Sequence, residues 1–247
     1  MKGLRRKRYR DASGAHPVYP IILPDDGGEM KLVSVNVSLP KEVPFQGGTV
    51  KTGIFKEPVM GRVMLRRENL DGDGQADRSV HGGVNKAAYA YPREHYGDWS
   101  RELGRSDFTF GQFGENFTVE GMLEDEIRIG DVFRVGAARV EVTQPRMPCY
   151  KLGIRMGMER FPKLFMASGR SGFYLKVVEE GEVGAGDRFE PVGQNPDGIT
   201  VRALWHLAYR ERDNLEGAKA ALRLTSLGPE WRHLLANRLI KAGIPVE

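Results

Sequence analysis

The single cysteine of this 247-residue chain, Cys149, lies in the run Gln144-Pro145-Arg146-Met147-Pro148-Cys149-Tyr150-Lys151-Leu152-Gly153. With no second cysteine an internal disulfide is excluded, so the thiol is left with burial, nucleophilic reactivity or metal ligation. Arg146 and Lys151 flank it, and nearby cations favour the thiolate, which is both the nucleophile and the soft metal ligand. Pro145 and Pro148 stiffen the backbone and remove two amide donors, which predicts a fixed loop rather than a helix. The plain alternative is a small buried apolar residue.

A second polar concentration runs from Asp71 to Lys86. Its Asp71-Gly72-Asp73 opening suggests a calcium loop, but Gln75, Ala76 and Gly82 occupy the fifth, sixth and twelfth positions, where such loops need a ligand, a glycine and a glutamate. Lys86 also lacks the glycine spacing of a phosphate loop. What remains is Arg78, His81, Gly82, Gly83, Asn85 and Lys86 close together. Paired glycines let backbone amides approach an anion, and the side chains add positive charge and hydrogen bonds. A glycine-rich turn with solvated charges is the competing account. His81 is a candidate proton donor, or a structural hydrogen-bonding group inside the turn. Gly114-Glu115-Asn116 leads into an apolar run, and the Asn116 amide can both donate to and accept from a heterocycle edge. Turn chemistry is the alternative there, as an ordinary surface loop is for Arg170.

The elements that must position these groups are mostly strands. Residues 31–38 alternate as a half-buried strand does and mark the expected start of the folded body. Further strands are expected at 62–65, 86–91, 116–119, 126–129, 132–135, 139–143 and 172–178, separated by glycines, with inserted helices at 93–103 and 159–167. This is a mainly β domain of barrel or sandwich type over residues 31–192. The composition changes after Gly193-Gln194-Asn195-Pro196-Asp197-Gly198. Val201, Leu204, Trp205, Ala208 and Tyr209 then fit one helical face, Asp213 with Glu216 resembles a capping box, and Pro229 suits the first turn of a third helix. A separate three-helix unit is expected over 198–247.

The net charge of +4 hides an asymmetry. Residues 1–10 carry Lys2, Arg5, Arg6, Lys7, Arg8 and Arg10 and no acid, so the rest of the chain is net acidic. Residues 1–30 read as a basic arm and linker, and the body offers little for nucleic acid. Residues 196–247, with eight Lys or Arg against six Asp or Glu, are a weak candidate for a DNA reader. No apolar run reaches the roughly 20 residues of a membrane span, and one cysteine without a secretory signal points to the cytoplasm.

Taken in order, His81-Gly82-Gly83 with Lys86, Gly114-Glu115-Asn116, Ile129-Gly130-Asp131 and the Pro145-to-Gly153 cysteine loop resemble the MOSC domain (molybdenum cofactor sulfurase C-terminal domain). The helical extension is similar to that of its YiiM-like branch. The resemblance implies a MOSC-type twisted β-barrel with inserted helices, followed by a small three-helix domain. It implies molybdenum cofactor (molybdopterin), with no pyridoxal phosphate expected. It makes Cys149 the metal ligand and a catalytic residue, with His81 a candidate proton donor near the metal or a structural group of the Gly-Gly turn. It matches Asn116 to a pterin contact; on charge alone Arg78, Lys86 and Arg146 are candidates for the cofactor's anionic end, with Gly82, Gly83 and Lys151 beside them as further cofactor-binding candidates. The implied activity is reduction of N-hydroxylated compounds such as hydroxylaminopurines and amidoximes. The alternative is a sulfur or cofactor carrier using a Cys149 persulfide. Because the chain has neither a dinucleotide-binding fingerprint nor a cysteine cluster, electrons should come from a separate flavin or iron–sulfur protein. The sequence does not specify an oligomeric state.

Overall fold

The computed structural model describes residues 29–76, 82–195 and 197–246. The basic arm up to residue 28 lies outside the described residues. The body is built from β1 (Lys31–Val37), β2 (Lys41–Phe45), β3 (Gly48–Thr52), β4 (Glu57–Pro58), β5 (Arg62–Leu65), β6 (Ala88–Pro92), α1 (Glu94–Leu103) and β7 (Phe117–Glu120). There follow β8 (Val132–Val135), β9 (Ala138–Pro145), α2 (Tyr150–Met156), α3 (Phe161–Ser168), β10 (Phe173–Glu179), β11 (Gly181–Gly184) and β12 (Phe189–Gly193). The chain ends with α4 (Val201–Tyr209), α5 (Leu215–Leu222) and α6 (Pro229–Lys241).

Eight strands form one sheet in the order β12-β8-β9-β10-β6-β7-β1-β4. β6 and β7 are parallel, with α1 in the connection between them. The expected closed barrel is not reached. The sheet curls until Lys31 bridges Arg188, but no ladder continues from that bridge. β1 is already paired with β7 on one edge and, at Asn36–Val37, with β4 on the other, so only its first residues can meet the segment before β12.

β6 reads Ala-Tyr-Ala-Tyr-Pro and is buried throughout, because both faces of the sheet are covered. Ala88 and Ala90 face a core that includes Leu32, Phe117, Val142 and Leu175. Tyr89 and Tyr91 face an aromatic core with Trp99, Phe113, Phe161 and Phe165, most of it brought by α1 and α3. Alternation along a strand sends successive side chains to opposite faces, so a single five-residue strand joins both cores.

Two local expectations fail for identifiable reasons. Residues 126–129 form no strand but a turn and one isolated antiparallel bridge, Arg128 with Thr200: the Ile127 amide bonds the Leu123 carbonyl, the Ile129 amide bonds the Ile199 carbonyl and the Val201 amide bonds the Ile127 carbonyl. The alternation of Ile127 and Ile129 therefore reflects packing against the segment leading into α4. The cysteine loop is also shorter than expected, since α2 begins at Tyr150 and Cys149 is its N-cap residue. Both prolines precede that cap, so neither obstructs the helix.

The three C-terminal helices form with the anticipated signals, shifted by one residue in α5. Thr200 caps α4 by accepting from the Ala203 amide (3.1 Å), and Asn214 rather than Asp213 caps α5, accepting from Gly217 (2.8 Å). Val201, Leu204, Trp205, Trp231, Leu235 and Leu239 belong to the same continuous core as the sheet residues Val140 and Val142. The helices thus complete the sheet's core rather than enclosing one of their own.

Candidate functional site

One hydrogen-bonded row crosses the sheet through Asn36, Asn116, Tyr89, Tyr174 and Gln144. The Asn36 amide bonds the Asn116 carbonyl (2.7 Å), the Asn116 amide bonds the Tyr89 carbonyl (2.9 Å), and Tyr174 pairs with both Tyr89 and Gln144. Pro145 ends β9 beside this row, and the chain then turns through Arg146 to Cys149. A solvent-open cleft with a volume of about 110 Å³ lies there. It is lined by Gly82, Lys86, Asn116, Arg146, Cys149 and Lys151, six of the residues singled out in the sequence. Lys56, Asp73, Tyr89 and Tyr174 line it as well.

Arg78 and His81 lie outside the described residues. Gly83 is not among the lining residues. Gly82 has φ of 133°, and a β-carbon there would lie 2.0 Å from Gln75 Oε1, so only glycine fits without displacing Gln75. Arg170 is elsewhere: it pairs with Glu102 (2.7 Å) and lies over the Trp99 ring (3.9 Å).

Arg146 is buried against aromatic faces, 4.7 Å from the Tyr89 centroid and 5.7 Å from that of Phe165, and donates to the Phe113 carbonyl (2.8 Å). Stacking on rings keeps a desolvated guanidinium charged beside the cysteine. Lys86 lines the cleft 5.7 Å from the Tyr174 centroid and forms an ion pair with Glu230 of α6. Cys149 is half-buried. Among the lining residues four cations face one carboxylate, so the cleft favours anions.

That carboxylate, Asp73, organises the floor. It accepts from Lys56 Nζ (2.5 Å), the Ser38 amide (2.9 Å) and Asn116 Nδ2 (2.9 Å). Burial pushes the Lys56 ammonium below the ordinary lysine range, with the Asp73 charge opposing it. Asn116 also donates to the Asn36 carbonyl (3.2 Å) and accepts from the Tyr89 amide (3.2 Å). Both kinds of amide contact expected for a heterocycle are thus made internally, and Asn116 holds the row in register.

Glu115 bolts the preceding loop down. Its carboxylate accepts from the Gly111 amide (2.9 Å), the Phe113 amide (3.0 Å), Thr118 Oγ1 (3.0 Å) and the Tyr96 hydroxyl. Burial raises this carboxyl above the ordinary range despite those donors. The sequence reading passed over Lys56, Glu115, Asp73, Tyr89, Tyr174 and Glu230 as site residues. Only the charges at 56 and 73 inside otherwise loop-like stretches signalled them, and nothing local paired one with the other.

Behind the site, Glu124 accepts from the Gly172 amide (2.7 Å), bonds His95 Nε2 (2.8 Å) and lies 3.6 Å from Arg202. Burial by itself would raise this carboxyl, but the His95 hydrogen bond and charge, with the other donors, hold it below the ordinary range. A carboxyl with a depressed folded pKa stabilises above its unfolded pKa, and that contribution is lost as pH falls through the folded value. Glu124→Gln is therefore expected to flatten the acid limb of stability below about pH 4.5. Urea midpoints compared between pH 6 and pH 3 check this. An acid limb identical to the parent's would place the titration elsewhere.

Residues 77–190 match the MOSC domain, and residues 199–242 match the YiiM-like 3-alpha helix domain. The chain is 40% identical to the uncharacterised protein YflK of Bacillus subtilis over 201 residues, covering 81% of this chain and 90% of that one. It is 33% identical to protein YiiM of Escherichia coli over 199 residues, covering 78% and 87%. A reductase of Gibberella moniliformis is 33% identical over 144 residues, 57% of this chain and 26% of that protein. The crystal structure of YiiM from Geobacillus stearothermophilus superposes with a TM-score of 0.73 at 35% identity, covering 85% of this chain and 99% of that one. The matched MOSC segment holds most of the cleft's lining, and the matched helical segment supplies Glu230. The chain belongs to the MOSC domain family, in the YiiM-like branch that carries a three-helix domain.

Proposed function

We propose that the cleft binds molybdenum cofactor and that the protein reduces N-hydroxylated compounds. The observation that carries this is a half-buried thiol, Cys149, in a cation-lined cleft. Among the described residues no group of three or more His, Cys, Asp or Glu side chains could hold a metal ion by itself. A single protein thiolate suits a dithiolene cofactor, which arrives with most of its metal's ligands already attached. The donor set therefore fits the group.

Cys149 would supply that thiolate, and Arg146, Lys86 and Lys151 would attract the cofactor's anionic end. Tyr89 and Tyr174 also line the cleft and would flank the bound group. The bound cofactor supplies two-electron redox chemistry. The overall reaction is R–NH–OH with two electrons and two protons giving R–NH2 and water, so the N–O bond breaks and oxygen leaves as water. The electrons come from a separate flavin or iron–sulfur protein.

Metal analysis of protein expressed with molybdate in a cofactor-competent host tests the reading, alongside fluorescence of the oxidised pterin. Molybdenum stoichiometric with the chain is the expected result. Labile sulfur without metal would instead make Cys149 a persulfide carrier. Lys151→Glu removes an attraction and adds a repulsion, and is expected to lower molybdenum occupancy about ten-fold. Its melting temperature should stay within about 2 °C of the parent, since one exchange on the cleft wall removes little packing. Unchanged occupancy would remove Lys151 from the anion-binding set.

A further inference from the structure

The first turn of α6 meets a residue of the cleft lining, since Glu230 pairs with Lys86. Gly228 precedes it against the end of β9, where a β-carbon would lie 1.6 Å from Gln144 Oε1. Trp231, fully buried, donates its indole N–H to the Pro145 carbonyl (3.1 Å). The helix start is thus fixed against the strand end that delivers Arg146 and Cys149. Between these anchors stands Glu230, whose carboxylate pairs with Lys86. The Lys86 side chain is 9% exposed and that of Glu230 is 38% exposed, so the pair is screened by solvent on one side only.

An acid in the first turn of a helix is favoured by the helix dipole whatever it contacts. Its partner is the informative part, because Lys86 lines the cleft. We propose that Glu230 is a charge gate: it restrains the cleft's attraction for anions, so an anionic ligand must displace the Glu230 carboxylate from Lys86 or bind against its repulsion. This assigns the three-helix domain a role in selecting what enters the site, and it rests on the reading of the cleft as an anion-receiving site.

The single cysteine allows a test that needs no metal. The full chain is treated with a dianionic aromatic disulfide, dithiobis(nitrobenzoate), and separately with neutral iodoacetamide, and the ratio of the two rates at Cys149 is measured. Neutralising the carboxylate paired with the cleft-lining Lys86 in Glu230→Gln is expected to raise that ratio about five- to ten-fold. Lys86→Met is expected to lower it, and the gain should vanish in the double variant Lys86→Met/Glu230→Gln. Glu230→Ala serves as a second variant, because a glutamine amide can still hold Lys86 by a hydrogen bond. A ratio that falls in Lys86→Met but stays at the parent value in both Glu230 variants overturns the gate while leaving the anion reading intact. A ratio unmoved by any of these changes overturns both.

Discussion

Cys149→Ser protein is expected to fold as the parent does and to lose molybdenum and N-hydroxylamine reduction together. Serine replaces a soft thiolate with a poorly ionised hydroxyl of similar size, which is a weak ligand for the metal. The same change suits the backbone, since Cys149 is the N-cap of α2 without a side-chain capping bond, and serine is among the preferred N-cap residues. The melting temperature should therefore stay within about 2 °C of the parent or rise slightly. Activity with an artificial electron donor should fall to background. A structural cysteine would give the reverse, a lower melting temperature with activity per folded molecule retained. Full activity in well-folded Cys149→Ser would sink both the metal-ligand and the persulfide readings.

Asp73→Ala is expected to produce the largest loss of stability of any single change at the cleft, about 3–5 kcal/mol, because it strands a buried lysine. Lys56 loses its ion-pair partner, while the Ser38 amide and Asn116 Nδ2 lose an acceptor. The direction of the Lys56 shift adds a pH signature. Its pKa is already lowered by burial, and Asp73 is the chief influence holding it up. Between the folded Lys56 pKa and its unfolded value of 10.5 the unfolded chain binds more protons, so stability rises with pH there. Without Asp73 the folded value drops further, the window widens, and the variant's deficit should shrink as pH rises from 7 towards 10. Urea denaturation across that range measures it. A deficit independent of pH would mean that the loss comes from the amide donors and not from Lys56.

Much of this molecule was readable before its fold was known, and the readable parts share a cause. β1, β8, β9 and β10 carry local alternation, and α4 to α6 carry caps and apolar stripes within one turn of their observed starts. Cys149, Arg146 and Lys151 are neighbours in sequence, so their meeting in one cleft needs only a short loop. Lys56 with Asp73, and Lys86 with Glu230, lie 17 and 144 positions apart, and no local pattern pairs them. Closure of the sheet was unreadable for the same reason, since it depends on β4 occupying the second edge of β1. The role expected of Asn116 was read from its functional groups, which do not reveal that Asp73, Asn36 and Tyr89 have already engaged them.

The continuity of one core across strands and helices also has a consequence for how the chain is made. Val140 and Val142 share that core with Trp205, Trp231 and Leu239, which lie about 60 to 100 positions later in the chain. At about 5–20 residues per second that separation takes on the order of several seconds to synthesise, so this core is completed well after its strands have been made.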